Sequence, residues 1–191
     1  SIDYSEISSG GPPPDGIPPI DHPQFETVVS AENWLEDREP VIALVLGNDA
    51  RSYPLQIMTW HEIVNDIVSG LPVTVTFCPL CNTALVFERP EVNGESLSFG
   101  TSGNLRNSDL VMYDRQTESW WQQFSGEAIV GELTGSRLTP VPATIIAWED
   151  FKFAYPQGQV LSQDTGFDRA YGKNPYAGYD NAGSYPFLFS G

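Results

Sequence analysis

The stretch VTVTFCPLCNTALVFERP, Val73–Pro90, holds both cysteines of a 191-residue chain. The alternation of VTVTF predicts a strand, and the β-branched and aromatic TALVFER predicts another. Between them stands a Cys-x-x-Cys turn, stiffened by Pro79, which has no N–H to donate and a fixed φ. Strands so close together, with no long helix after the second cysteine, point away from a βαβ unit and towards antiparallel sheet.

On the N-terminal side, TWHEIVNDIVSG predicts a helix. Trp60, Ile63, Val64 and Ile67 recur at i, i+3, i+4 and i+7. Thr59 and Glu62 have capping-box spacing, Gly70 closes the element, and His61 falls in its first turn. Before it, PVIALVLGNDARSYPLQI reads as a hairpin, and AENWLED as a short helix capped by Ser30. Residues 1–24 are rich in Gly and Pro and read as an extended arm, surface-bound or partly disordered.

On the C-terminal side, TALVFER and ESLSFG read as strands joined across Asn93-Gly94. SDLVMYDR and SWWQQF continue a meander, and TIIAW is a further strand. EDFKFAYP is a short helix stopped by Pro156. From about residue 164 an aromatic, irregular stretch follows, of the kind that packs over a core. The fold expected is α+β, mostly antiparallel sheet with two or three short helices, in one domain over residues 25–191.

The formal net charge is −16, with two lysines and seven arginines. Such a surface repels nucleic acid and anionic lipid and attracts cations. No stretch approaches the roughly 18 apolar residues of a transmembrane helix. A chain of this length folds without a disulfide, and a bridge closing so small a loop would add little.

The thiols therefore raise a question of chemistry. A catalytic dithiol pair normally heads a long helix, whose dipole lowers the thiol pKa; here a strand follows. Two readings stay open: a passive Cys78–Cys81 disulfide, or a metal clamp. For a metal, the borderline and soft donors are Cys78, Cys81, His61 and Met112. That set favours copper; without the methionine it is three zinc ligands plus an open position. His61, held near a helix N-terminus, is expected to be neutral and ready to ligate, whereas His22 lies in the arm. Downstream, Arg106, Asn107, Asp109, Asp114 and Arg115, walled by Trp120 and Trp121, are candidates for a polar pocket; turns and mutual ion pairs are the plainer explanation. Gly100 and Gly103 are candidates to offer backbone N–H groups there.

The segments YPLQIMTWHEIVND, VTFCPLCNTALVFER, FGTSGNLRNSDLVMYDRQTESWWQQFSGEAIVGELTG and LSQDTGFDRAYGKNPYAGYDN together resemble domain-of-unknown-function family 3179. The resemblance spans almost the whole chain and implies an exported bacterial or archaeal protein, periplasmic or secreted, with no established activity. The family usually has Asn or Asp where this chain has His22, and its members often continue beyond PFLF.

Three function classes follow as expectations. The first is a mononuclear copper-type site for electron transfer, copper handling or an oxidoreductase step, with a redox or metal-donor protein as partner. The second is a zinc site with an open position. The third is a non-enzymatic scaffold held by a Cys78–Cys81 disulfide.

Overall fold

The structure is a computed structural model and describes residues 2–176. Among the described residues it is α+β, with three short α-helices and one 3-10 turn among three larger sheets and a two-stranded ribbon, antiparallel except for one strand pair. One sheet runs, in spatial order, through Ile7–Ser9, Phe99–Arg106, Asp109–Asp114, Trp120–Gln122 and Glu127–Val130. A second runs through Pro140–Val141, Thr83–Glu88, Leu71–Cys78 and Ile63–Val68. The third runs through Ala143–Ala147, Pro40–Leu46, Asp49–Pro54, Gln159–Leu161 and Phe25–Thr27.

The opening stretch folds as an antiparallel pair, Val73 to Cys78 against Glu88 to Thr83, with the CPLCN segment as its turn. Residues 73–78 are buried throughout, which needs apolar cover on both faces of the sheet. One face joins the core that holds Tyr53, Ile57, Met58 and Val75. The other contributes Cys78 to a second core with Phe99, Leu110, Met112 and Trp121.

The helix expected over residues 59–70 is corrected. A helix spans Leu55–His61, and Ile63–Val68 is a strand. The apolar spacing suits a helix, but Ile63, Val64, Ile67 and Val68 are β-branched and pack better on a pleated sheet. Val68 pairs with Leu71, and the two residues between them, Ser69 and Gly70, have φ of 51° and 83°. Two positive φ values in a two-residue loop make the turn a hairpin prefers, so Gly70 turns a hairpin and stops no helix. Thr59 caps nothing at an N-terminus; its hydroxyl donates to the Gln56 carbonyl inside the helix.

Smaller expectations shift in the same way. The first helix is Val28–Ala31, with Thr27, not Ser30, accepting from the Ser30 N–H. The Asn93-Gly94 turn exists but joins only Glu91–Val92 to Glu95–Ser96. The strand Thr83–Glu88 takes Leu71–Cys78 as its partner, because that pairing buries Val86 and Phe87. The Pro40–Leu46 and Asp49–Pro54 hairpin stands as expected, as do the meander and the late helix, Trp148–Ala154.

The N-terminal arm is extended, as its prolines require, but it is pinned. Ile7–Ser9 adds a strand to the first sheet, and Ile20 is buried in the core. Arg106 pairs with Glu6 at 2.6 Å, and Arg115 with Asp15 at 3.2 Å and Asp21 at 3.1 Å. The second and first sheets are stitched by Asn65, whose amide donates to Phe99 O at 2.8 Å and accepts from Phe99 N at 3.1 Å.

Candidate metal centre

The two cysteines close the end of the Leu71–Cys78 strand. Cys78 is buried as the last residue of that strand, while Cys81 stands at the surface across the turn. Both thiols are free, so the bridge of the scaffold reading is not present. A second hairpin meets this turn. Arg106 pairs with Asp109, and Asn107 and Ser108 between them have φ of 53° and 61°. That tight turn presses the Ser108 carbonyl towards Cys78, 3.9 Å from its sulfur, and delivers Asp109 to Cys81. The Cys81 Sγ lies 3.3 Å from Asp109 Oδ1.

Among the described residues, the sulfurs of Cys78 and Cys81 and a carboxylate oxygen of Asp109 all lie within 4.8 Å of one another. A tetrahedral zinc ion, with Zn–S about 2.3 Å and Zn–O about 2.1 Å, holds sulfur and oxygen ligands about 3.6 Å apart. The 3.3 Å between Cys81 and Asp109 is close to that spacing, so the group could hold a metal ion. Asp109 is held in place by the Phe124 N–H, which donates to its other oxygen at 3.0 Å.

The two thiols differ in acidity. The hydrogen bond from Cys78 lowers the Cys81 thiol pKa, with help from the Thr83 hydroxyl; burial and the neighbouring Asp109 carboxylate work against it. The same hydrogen bond, together with burial, pushes the Cys78 thiol well up. Cys78 thus keeps its proton, and Cys81, while it is a thiol, donates to Asp109. If Cys81 is a thiolate it faces the Asp109 carboxylate across 3.3 Å, and like charges so close, half buried, are costly. A divalent cation removes the conflict by displacing the protons from both thiols.

The other two expected ligands are His61 and Met112. His61 is fully buried at the last turn of its helix, not the first. Its Nδ1 is 2.7 Å from the Pro18 carbonyl, which can only accept, so Nδ1 carries the hydrogen. Nε2 then accepts from the Tyr171 hydroxyl at 2.7 Å. Both ring nitrogens are engaged, and His61 is not part of the cluster. Its pKa is lowered as expected, but by burial and not by a helix N-terminus. Met112 is fully buried in the apolar core with Cys78, among Phe99, Leu110 and Trp121.

The polar segment after Phe99 is a strand, Phe99–Arg106, and not an open loop; its ladder breaks between Thr101 and Asn104, where the Asn104 N–H donates to the Ser102 hydroxyl. Its charged neighbours do not converge on a pocket. Arg106 reaches Glu6 and Gln122, and Arg115 holds the arm. Asp114 accepts from Thr117 and, at 2.8 Å, from the Trp121 indole. Trp121 is core, and Trp120 lies half-buried in the neighbouring strand position. Asn107 makes the hairpin turn. Of that group only Asp109 enters the candidate centre. The sequence signal for it was available: an acid opening an otherwise apolar strand, directly after a tight-turn pair.

Glu62, expected to complete a capping box, is instead a buried acid at the helix end. It follows the helix with φ of 60° and ψ of −30°, a conformation that non-glycine residues rarely hold. Its carboxyl is buried and accepts from the Tyr176 hydroxyl at 2.8 Å. Burial raises its pKa to about 7.

The model of a protein family described as "Protein of unknown function (DUF3179)" matches residues 14–191 of the chain. With that extent of match, the chain belongs to this family. No curated protein and no solved structure matches it.

Proposed function

We propose that this member of the unknown-function family 3179 binds one divalent metal ion, zinc before copper, through Cys78, Cys81 and Asp109. The observation that carries the reading is the convergence of three donor atoms from two hairpins within 4.8 Å. Two thiolates and a carboxylate are a borderline donor set of the kind zinc accepts. Copper would be better served by imidazole and thioether, and His61 is held away by Pro18 and Tyr171. Three protein ligands leave a fourth position for water or a substrate atom. We place the protein outside the cytoplasm, on its resemblance to exported family members; there, a bound ion would protect the thiol pair from oxidation. A metal-donor protein is the partner this reading implies.

The test is elemental analysis of protein purified without chelator, then of Cys81→Ser, Asp109→Asn and His61→Ala. One zinc per chain is expected in the parent and in His61→Ala, and loss in the other two. Metal retained at full stoichiometry in Cys81→Ser, or no uptake of zinc by the parent, overturns the reading.

A second reading rests on two free thiols at one turn, Cys81 at the surface and Cys78 buried behind it. Such a pair can reduce a partner disulfide. Cys81 thiolate attacks one sulfur and the other leaves as thiolate. Cys78 then gives up its proton and attacks Cys81, releasing the second thiol and leaving a Cys78–Cys81 disulfide. Metal-free protein that cycles between two and zero free thiols with a small disulfide such as oxidised glutathione favours this reading.

A further inference from the structure

We infer that the cleft between the N-terminal arm and the CPLC turn, lined by Ile17, Glu62, Leu80, Thr101, Leu110 and Tyr176, binds a small uncharged molecule that presents a carbonyl oxygen to Glu62. The cleft measures about 200 Å³, somewhat more than the roughly 150 Å³ cavity that accepts benzene in another protein. Ile17, Leu80, Leu105 and Leu110 make its walls apolar, while Thr101, Asn104 and the Glu62–Tyr176 pair are its polar side chains. A carboxyl group in such a place is expensive unless it serves something. Here it is reached only by holding Glu62 in a disfavoured backbone conformation, with φ of 60° and ψ of −30°. A helix end of this kind normally takes glycine. Backbone strain combined with a buried acid in a cleft is the pattern of a site kept for a ligand.

The chemistry of the ligand follows from the pair. Tyr176 donates its hydroxyl proton to Glu62 Oε1 at 2.8 Å, which fixes the orientation of the carboxyl. Burial favours the neutral acid. A neutral acid whose one oxygen is already accepting offers its own O–H to a hydrogen-bond acceptor, and a ketone or amide carbonyl meets that need. A carboxylate ligand would have to be desolvated without a cation, and an ammonium group would need Glu62 ionised. Leu80 lies between Cys78 and Cys81, so a bound molecule would sit directly against the turn that carries the thiols. The binding does not depend on the metal, and the test keeps the two apart.

The test uses methyl-resolved NMR at about pH 6, below the raised Glu62 pKa of about 7, on the whole chain, with cyclohexanone as probe and cyclohexylammonium and cyclohexanecarboxylate as controls. Cyclohexanone should shift the methyl signals of Ile17, Leu80, Thr101 and Leu110, and the two ions should not. Glu62→Gln, whose amide still donates, should keep the affinity within about threefold, while Glu62→Leu should weaken it by about tenfold, the worth of one uncharged hydrogen bond. Cys81→Ser, which removes the proposed metal, should bind the ketone as the parent does. No shift at those methyls, equal shifts from an ion, or affinity unchanged in Glu62→Leu would each overturn the inference. Failure of zinc binding with ketone binding intact would overturn only the metal reading.

Discussion

Replacing Glu62 by glutamine should make the protein more stable at alkaline pH and leave it nearly unchanged in acid. In the folded protein burial raises the Glu62 pKa from 4.5 to about 7. In the unfolded chain the group titrates at its ordinary value. Between those two values the folded state binds the proton more tightly, so stability falls as pH rises through that window and levels off above it. The gap from 4.5 to about 7, at about 1.4 kcal/mol per pH unit, is a loss of about 3 kcal/mol. Most of it, about 2.5 kcal/mol, falls between pH 5 and pH 8.5 by the same linkage relation. Glutamine has no such titration, and its carbonyl can still accept from Tyr176. The assay is urea unfolding of parent and Glu62→Gln at several pH values, with chelator present so that metal binding adds no pH dependence of its own. Every other titrating group cancels in the difference. The midpoint advantage of the variant should grow by about 1 M urea across the range, for an m-value of about 2 kcal/mol/M. A difference that stays flat with pH would refute the claim that the buried carboxyl is neutral in the folded state.

Three further outcomes follow from the packing and the site. Zinc at one hundred times its dissociation constant should stabilise the parent by about 2.7 kcal/mol, read as a rise in Tm that EDTA reverses and that Asp109→Asn lacks. Asn65→Ala should cost about 2–4 kcal/mol in urea unfolding, because the N–H of the fully buried Phe99 loses its acceptor and its carbonyl keeps only Arg115 at 3.4 Å. Gly70→Ala should cost about 1 kcal/mol, since φ of 83° suits glycine and strains alanine; a neutral result would show that the Val68–Leu71 turn relaxes.

Local pattern carried the fold class and much of the strand set. The alternation of VTVTF and the apolar runs of PVIALVL and DLVMYD are properties of the residues themselves, because a strand needs one or both faces apolar to be buried. The Gly47-Asn48 turn, the late helix before Pro156 and the family resemblance were legible for the same local reason. The Cys-x-x-Cys turn announced a site, since two thiols so spaced reach each other in nearly any backbone.

What completes that site was not local. Ile63 to Val68 satisfies a helical period and a strand's β-branched composition at once, and only the partner strand Leu71–Cys78 decides between them. Once that segment is a strand, His61 ends a helix, turns to Pro18 and Tyr171, and leaves the thiols. Glu62 is driven inward at the junction, and its burial, not its sequence position, raises its pKa. Asp109 reaches Cys81 from 28 residues away because two tight hairpins happen to meet at their ends. Residue type and spacing specify which donors exist; the burial and the contacts that select among them arise only when distant strands pair.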